Sequence, residues 1–105
     1  MKNMVLLIDT TNNKEVTVGL KIDGKEVAEK KQLDTRKAQV VLPMLEKMLE
    51  DHRLSLKDLT AIEVNSGPGS FTGIRVGLSI ANTLGLLLNV PVNGKEVGEI
   101  VEARY

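Results

Sequence analysis

Met4-Val5-Leu6-Leu7-Ile8 is an unbroken apolar run, the pattern of a central, buried strand. It stops at Asp9-Thr10-Thr11-Asn12-Asn13, a cluster of turn formers. From Glu15 the pattern becomes alternation, with Val16, Val18, Leu20 and Ile22 on one face, which predicts a strand over 15–22. Asp23-Gly24 supplies the positive-φ pair of a tight hairpin. Lys25 to Leu33 returns as a more polar strand whose lysines suit a sheet edge.

Helical spacing takes over next. Asp34 or Thr35 caps a helix that runs to about His52, with Ala38, Val41, Leu42, Leu45, Met48 and Leu49 as its core stripe. Pro43 lies inside it and bends it locally. After a linker at 55–59, Thr60 to Asn65 reads as a strand around Ile62 and Val64, and Ser66-Gly67-Pro68-Gly69 as a turn. A second helix is predicted from about Ser70 to Leu88, then a short strand at Val90-Pro91-Val92. Residues 95–105 hold Val97, Ile100, Val101 and Ala103 and read as a tail forming a strand or short helix. The expected domain is therefore 1–94, and the fold class is α/β. A mixed five-stranded sheet in the order β-β-β-α-β-α-β carries two main helices. That order resembles the ribonuclease H-like single lobe of the actin-like ATPase fold.

Composition removes several function classes. The chain has 105 residues with 14 basic and 14 acidic side chains, so no electrostatic surplus draws phosphate backbones, and strong direct nucleic-acid binding is not expected. Phe71 and Tyr105 are the only aromatics, which leaves no base-stacking platform. The absence of cysteine excludes disulfides, thiolate catalysis and Cys-based metal sites, and fits a cytoplasmic setting. The apolar run at Met4–Ile8 is too short for a membrane span or a signal peptide's core.

The most specific stretch is Asn65-Ser66-Gly67-Pro68-Gly69-Ser70-Phe71-Thr72-Gly73-Ile74-Arg75-Val76-Gly77. A glycine turn feeding a helix N-terminus can face an anion. The commoner reading is a tight turn that starts a helix. It is no P-loop, since no lysine occurs between Lys57 and Lys95. Asp9, Thr10 and Thr11 could join Gly67, Gly69 and Ser70 around a nucleotide phosphate and Mg²⁺, or simply make a turn. His52 is the only histidine, and no nucleophile–base pair is credible, so neither catalytic nor metal-binding residues are expected.

Within the second helix Gly73, Gly77, Ala81 and Gly85 recur every four residues. Each glycine costs about 1 kcal/mol relative to alanine, so something must approach this backbone closely. The remaining faces are also mostly apolar, which favours burial all round. The two readings are an interior helix and, preferred here, a subunit interface. On the second reading Gly73, Ile74, Gly77, Ala81 and Gly85 would meet a partner, together with Val40 and Met44, which lie off the first helix's predicted core stripe.

Four stretches resemble the bacterial TsaB (YeaZ) group in sequence and order: Leu7-Ile8-Asp9-Thr10-Thr11, Val41-Leu42-Pro43-Met44, Leu59-Thr60-Ala61-Ile62-Glu63-Val64, and Gly67 to Gly77. The last is the hallmark. The resemblance implies an actin-like fold and a non-catalytic subunit that pairs with TsaD, the related protein that transfers the threonylcarbamoyl group to adenosine in certain tRNAs. TsaE, an ATPase, would join that complex. A homodimer is the other association the resemblance offers, through the same two helices. Lys37 stands where the family usually has a histidine, and the C-terminal lobe has no counterpart here. With nucleotide lying between lobes in such folds, no cofactor is expected on this chain alone. ATP or ADP is left only a composite interface. An ATPase-like nucleotide-binding protein and a homodimeric module outside tRNA modification are the alternative functions.

Overall fold

The opening apolar run becomes one of the two inner strands of the sheet. In the computed structural model, which describes residues 3–12, 14–32 and 38–104, β1 (Met4–Asp9) lies between β2 (Glu15–Ile22) and β4 (Ala61–Val64). With β3 (Lys25–Gln32) outside β2, the order is β3-β2-β1-β4. The β1–β2 and β2–β3 pairs are antiparallel, and β1–β4 is parallel. Asp23 and Gly24, at φ 49° and 89°, turn the predicted hairpin.

Leu6 pairs with Leu20 on one side and Ile62 on the other, and Ile8 with Val18 and Val64. All six side chains are buried on a single face. Both helices, α1 (Ala38–Asp51) and α2 (Phe71–Leu88), contribute to the core on that face, so Val5 and Leu7 on the opposite face are only half-buried. The run is apolar throughout, but the described residues cover it fully on one side only.

The stripe on α1 is Val41, Met44, Leu45, Met48 and Leu49. This corrects two assignments. Leu42 is 43% exposed while Met44 is buried, because Leu42 sits about a quarter-turn from the axis through Val41, Leu45 and Met48. The proposed cap at Asp34 or Thr35, the end of β3 at Leu33, and Lys37 lie outside the described residues. His52 Nδ1 lies 2.8 Å from the Met48 carbonyl, where it closes the helix's last turn.

The fifth strand is reduced to one parallel bridge, Ile62 to Val92. Pro91 has no N–H and offers only its carbonyl, which accepts from Ile62 N–H at 3.0 Å. Asn93 then enters the left-handed region at φ 53°. Its side-chain amide takes over the ladder, pairing with both the N–H and the carbonyl of Val64 at 2.7 and 3.0 Å. The sheet therefore has four strands rather than five. Among the described residues the tail is neither strand nor helix. Positive φ at Gly94 and Gly98 breaks it into turns, and Val97 and Ile100 remain exposed.

Candidate functional site

The candidate residues at the end of β1 and at the start of α2 converge on one junction. Thr10, following β1, is buried, and its hydroxyl donates to the Gly73 carbonyl and accepts from Gly77 N–H at 3.0 Å. One hydroxyl thus sits between the carbonyl and amide that an α-helix pairs four residues apart. A Cβ at Gly77 would overlap that hydroxyl, and one at Gly69 would stand 2.7 Å from Thr11 Cβ. Gly69 and Gly77 of the hallmark are required because the end of β1 presses against this turn and helix.

The groups offered to a phosphate are largely engaged inside the lobe. Asp9 Oδ1 accepts from the Thr11 N–H at 2.9 Å and from its hydroxyl at 2.7 Å, while Asn65 Nδ2 donates to Asp9 Oδ2. Ser70 is the N-cap of α2. Its side chain accepts from Gly73 N–H, and its own N–H donates to the Thr11 carbonyl at 2.8 Å. Gly67 N–H donates to Asn65 Oδ1. The structure brings Asp9, Thr10, Thr11, Gly67, Gly69 and Ser70 to one junction, where they bond with one another, with α2, with Asn65 and with Arg104. Among the described residues no group of three or more His, Asp or Glu side chains could hold a metal ion.

The small-residue strip is corrected in direction. Gly73, Ile74, Gly77, Ala81 and Gly85 are all buried within this chain. Gly77 backs onto Thr10, Val64 and Ile8, and Gly85 onto Val92. Met44 belongs to the core, and only Val40 of the seven proposed contacts keeps part of its side chain at the surface. The demand for close approach was real, but β1, β4 and the Val90–Val92 segment satisfy it. By length and composition α2 could cross a bilayer, but its inward side is the centre of this packing.

What faces outward is the opposite side of α2. Phe71, Leu86 and Leu87 are 58%, 58% and 76% exposed. Phe71, Thr72, Arg75, Val76, Ser79 and Ile80 line a shallow groove of about 410 Å³. The Arg75 guanidinium lies 5.5 Å from the centre of the Phe71 ring, a cation–π contact at the groove's N-terminal end. The sequence marks this face as apolar too, but the contacts expected for a partner fall on the small-residue strip, the louder signal. The cue to this face was the spacing of Phe71, Arg75 and Ser79, with Ile80 and Leu87 beside them. Sequence reading missed Asn82 and Asn93, whose amides pair with backbone in the manner of a strand.

A family profile described as "TsaD: tRNA N6-adenosine threonylcarbamoyltransferase" matches residues 31–95. The chain is 37% identical over 90 residues to the tRNA threonylcarbamoyladenosine biosynthesis protein TsaB of Escherichia coli (strain K12), covering 86% of this chain and 38% of that one. To TsaB of Bacillus subtilis (strain 168) it is 33% identical over 96 residues, covering 85% and 39%. YeaZ from Pseudomonas aeruginosa superposes with a TM-score of 0.81 at 28% identity, over 90% of this chain and 44% of that structure. The chain spans about two fifths of the length of these curated relatives. On the profile match and the turn-and-helix hallmark within it, the chain belongs to the TsaD family of tRNA N6-adenosine threonylcarbamoyltransferases and, inside that family, to the TsaB (YeaZ) group, with the ribonuclease H-like lobe of the actin-like fold.

Proposed function

We propose that this chain is a non-catalytic, cytoplasmic subunit of tRNA N6-threonylcarbamoyladenosine modification, docking through the outward face of α2 onto a TsaD protein. The observation that carries the reading is the outer side of α2, where exposed Phe71 borders the groove at Arg75 and Ile80 and Leu86 and Leu87 stand exposed at the far end of the helix. Large apolar side chains left in water at both ends of one helix are the kind of surface a protein partner covers. The junction at Thr10 supports a scaffold rather than a catalytic role, since its hydroxyl, the Asp9 carboxylate and the Ser70 cap serve packing. TsaE joins through TsaD in this reading, and an adenine nucleotide binds only where a partner completes the site.

The test is to mix the chain with the TsaD of its own organism and measure mass by light scattering after size-exclusion chromatography. A single species at the summed mass is the expected result. Two unchanged species at tens of micromolar refute the proposal. If this face instead pairs two copies of the chain, the unmixed sample runs at twice the monomer mass and adding TsaD leaves it there.

A further inference from the structure

The last described segment is fastened at two points. Val101 is buried, and its N–H and carbonyl are both held by the side-chain amide of Asn82 on α2, at 3.0 Å each. Further along, Arg104 N–H donates to the Ser66 carbonyl at 2.7 Å, and its guanidinium donates to the Gly67 carbonyl at 2.9 Å. A Cβ at Gly67 would overlap the Arg104 carbonyl. Residues 94–100, which lead into this strap, are exposed. The strap therefore runs from the C-terminal half of α2 back to the turn that starts it.

That turn sets the first helical turn. Gly67 N–H is held by Asn65, Ser70 N–H by Thr11, and Gly73 N–H by the Ser70 hydroxyl. The first turn carries Phe71 and leads directly to Arg75, the cation–π pair at the end of the outward groove. Helix ends fray unless their groups are tied down. A surface held in its bound geometry before contact loses less freedom on binding.

We propose that Arg104, anchored through Val101 and Asn82, is a positioning residue for the docking face. Its backbone N–H holds the Ser66 carbonyl, and its guanidinium, the grip that side-chain replacement removes, holds the Gly67 carbonyl and fixes the 66–70 turn so that Phe71 and Arg75 are presented in a preset geometry. This rests on the docking reading above. Arg104 is itself exposed, so its replacement leaves the core intact.

The experiment uses the full chain, with Arg104→Ala and Arg104→Lys. Amide exchange by NMR is read at Gly67, Ser70, Gly73 and Ile74, with the β1–β2 ladder as reference, and TsaD affinity is measured on the same samples. Arg104→Ala is expected to speed exchange at those four amides by about tenfold with the ladder unchanged, and to weaken affinity by about tenfold. Arg104→Lys, which keeps one cationic donor, falls between. Unchanged exchange at the turn overturns the proposal. So does equal acceleration in the ladder, which would mark a global stability effect, and so does faster exchange with unaltered affinity. A wild-type chain that fails to bind TsaD removes the docking reading and this role for Arg104 with it, while the exchange data still report whether the strap holds the turn.

Discussion

Gly77→Ala tests whether the hallmark glycines serve internal packing. In an exposed helix this substitution stabilises by about 1 kcal/mol. Here the new methyl would overlap the Thr10 hydroxyl, and would meet Val64 Cγ2 at 3.4 Å and Ile8 Cγ2 at 3.5 Å. Thr10 is fully buried and fixed by bonds to both Gly73 and Gly77, so it has little room to retreat. Overpacking costs about 1–3 kcal/mol, and disturbing the hydroxyl's bonds costs about 1 kcal/mol more. Setting these against the helix gain leaves a net loss of about 1–3 kcal/mol. For a domain of this size, that is a fall in melting temperature of roughly 4–8 °C per kcal/mol. The decisive assay is a double-mutant cycle by urea denaturation. With Thr10→Ala the obstructing oxygen is gone, and Gly73 and Gly77 can pair with each other. Gly77→Ala should then be neutral or stabilising, giving a coupling of about 1–3 kcal/mol. An equal penalty in both backgrounds, or a more stable single variant, would refute the account of why glycine stands here.

Three further outcomes are expected. Ala81→Leu, at a fully buried position, should destabilise by about 1–3 kcal/mol while the folded fraction binds its partner with unchanged affinity; thermal melts and titration calorimetry on one sample check both. Phe71→Ser with Leu87→Ser, at positions 58% and 76% exposed, should leave the urea midpoint nearly unchanged, within about 0.5 kcal/mol per site. The same pair should weaken TsaD binding by at least about tenfold, as surface plasmon resonance would show. Millimolar ADP with Mg²⁺ should not raise the melting temperature of the isolated chain, because the Asp9, Thr10 and Ser70 groups are engaged in packing; a saturable upward shift lost in Asp9→Ala would contradict this.

The elements that local pattern dictates were legible in the sequence. The alternation at Val16, Val18 and Leu20 and the Asp23-Gly24 turn gave β2 and its hairpin with their observed limits. Ser70 and Leu88 bracket α2 as the spacing suggests. Elements that depend on hydrogen-bond competition were not legible. Pro91 and Asn93 shorten the fifth strand to a bridge because one lacks a donor and the other substitutes its side chain for the ladder. The tail's strap depends on Asn82 and Arg104 reaching backbone groups far away in sequence, and residue periodicity carries no record of such contacts. The direction of the glycine strip was undetermined for a related reason. Spacing reports that a backbone is closely approached, but not whether the approaching atoms belong to the same chain.

That ambiguity bears on where binding specificity is written. The stretch that marks the TsaB group, Gly67 to Gly77, is constrained by Thr10, Thr11 and Arg104 of this same chain. Such residues are fixed by the need to join β1 to α2, so they say which lobe this is and little about what covers it. In the docking reading proposed above, partner choice falls to outer positions of the same helix, Phe71 and Arg75 within that stretch and Ile80 and Leu87 beyond it. A change of side chain at Phe71, Arg75 or Ile80 alters the groove, and one at Leu87 alters the exposed far end of the helix. Exchanging them for the residues at the corresponding positions of another TsaB should therefore transfer preference between two TsaD proteins, while the glycines remain as they are. Competition binding with both TsaD proteins reads the transfer directly. If preference stays with the original partner, the docking surface is not this face of α2, even though the fold and its hallmark are intact.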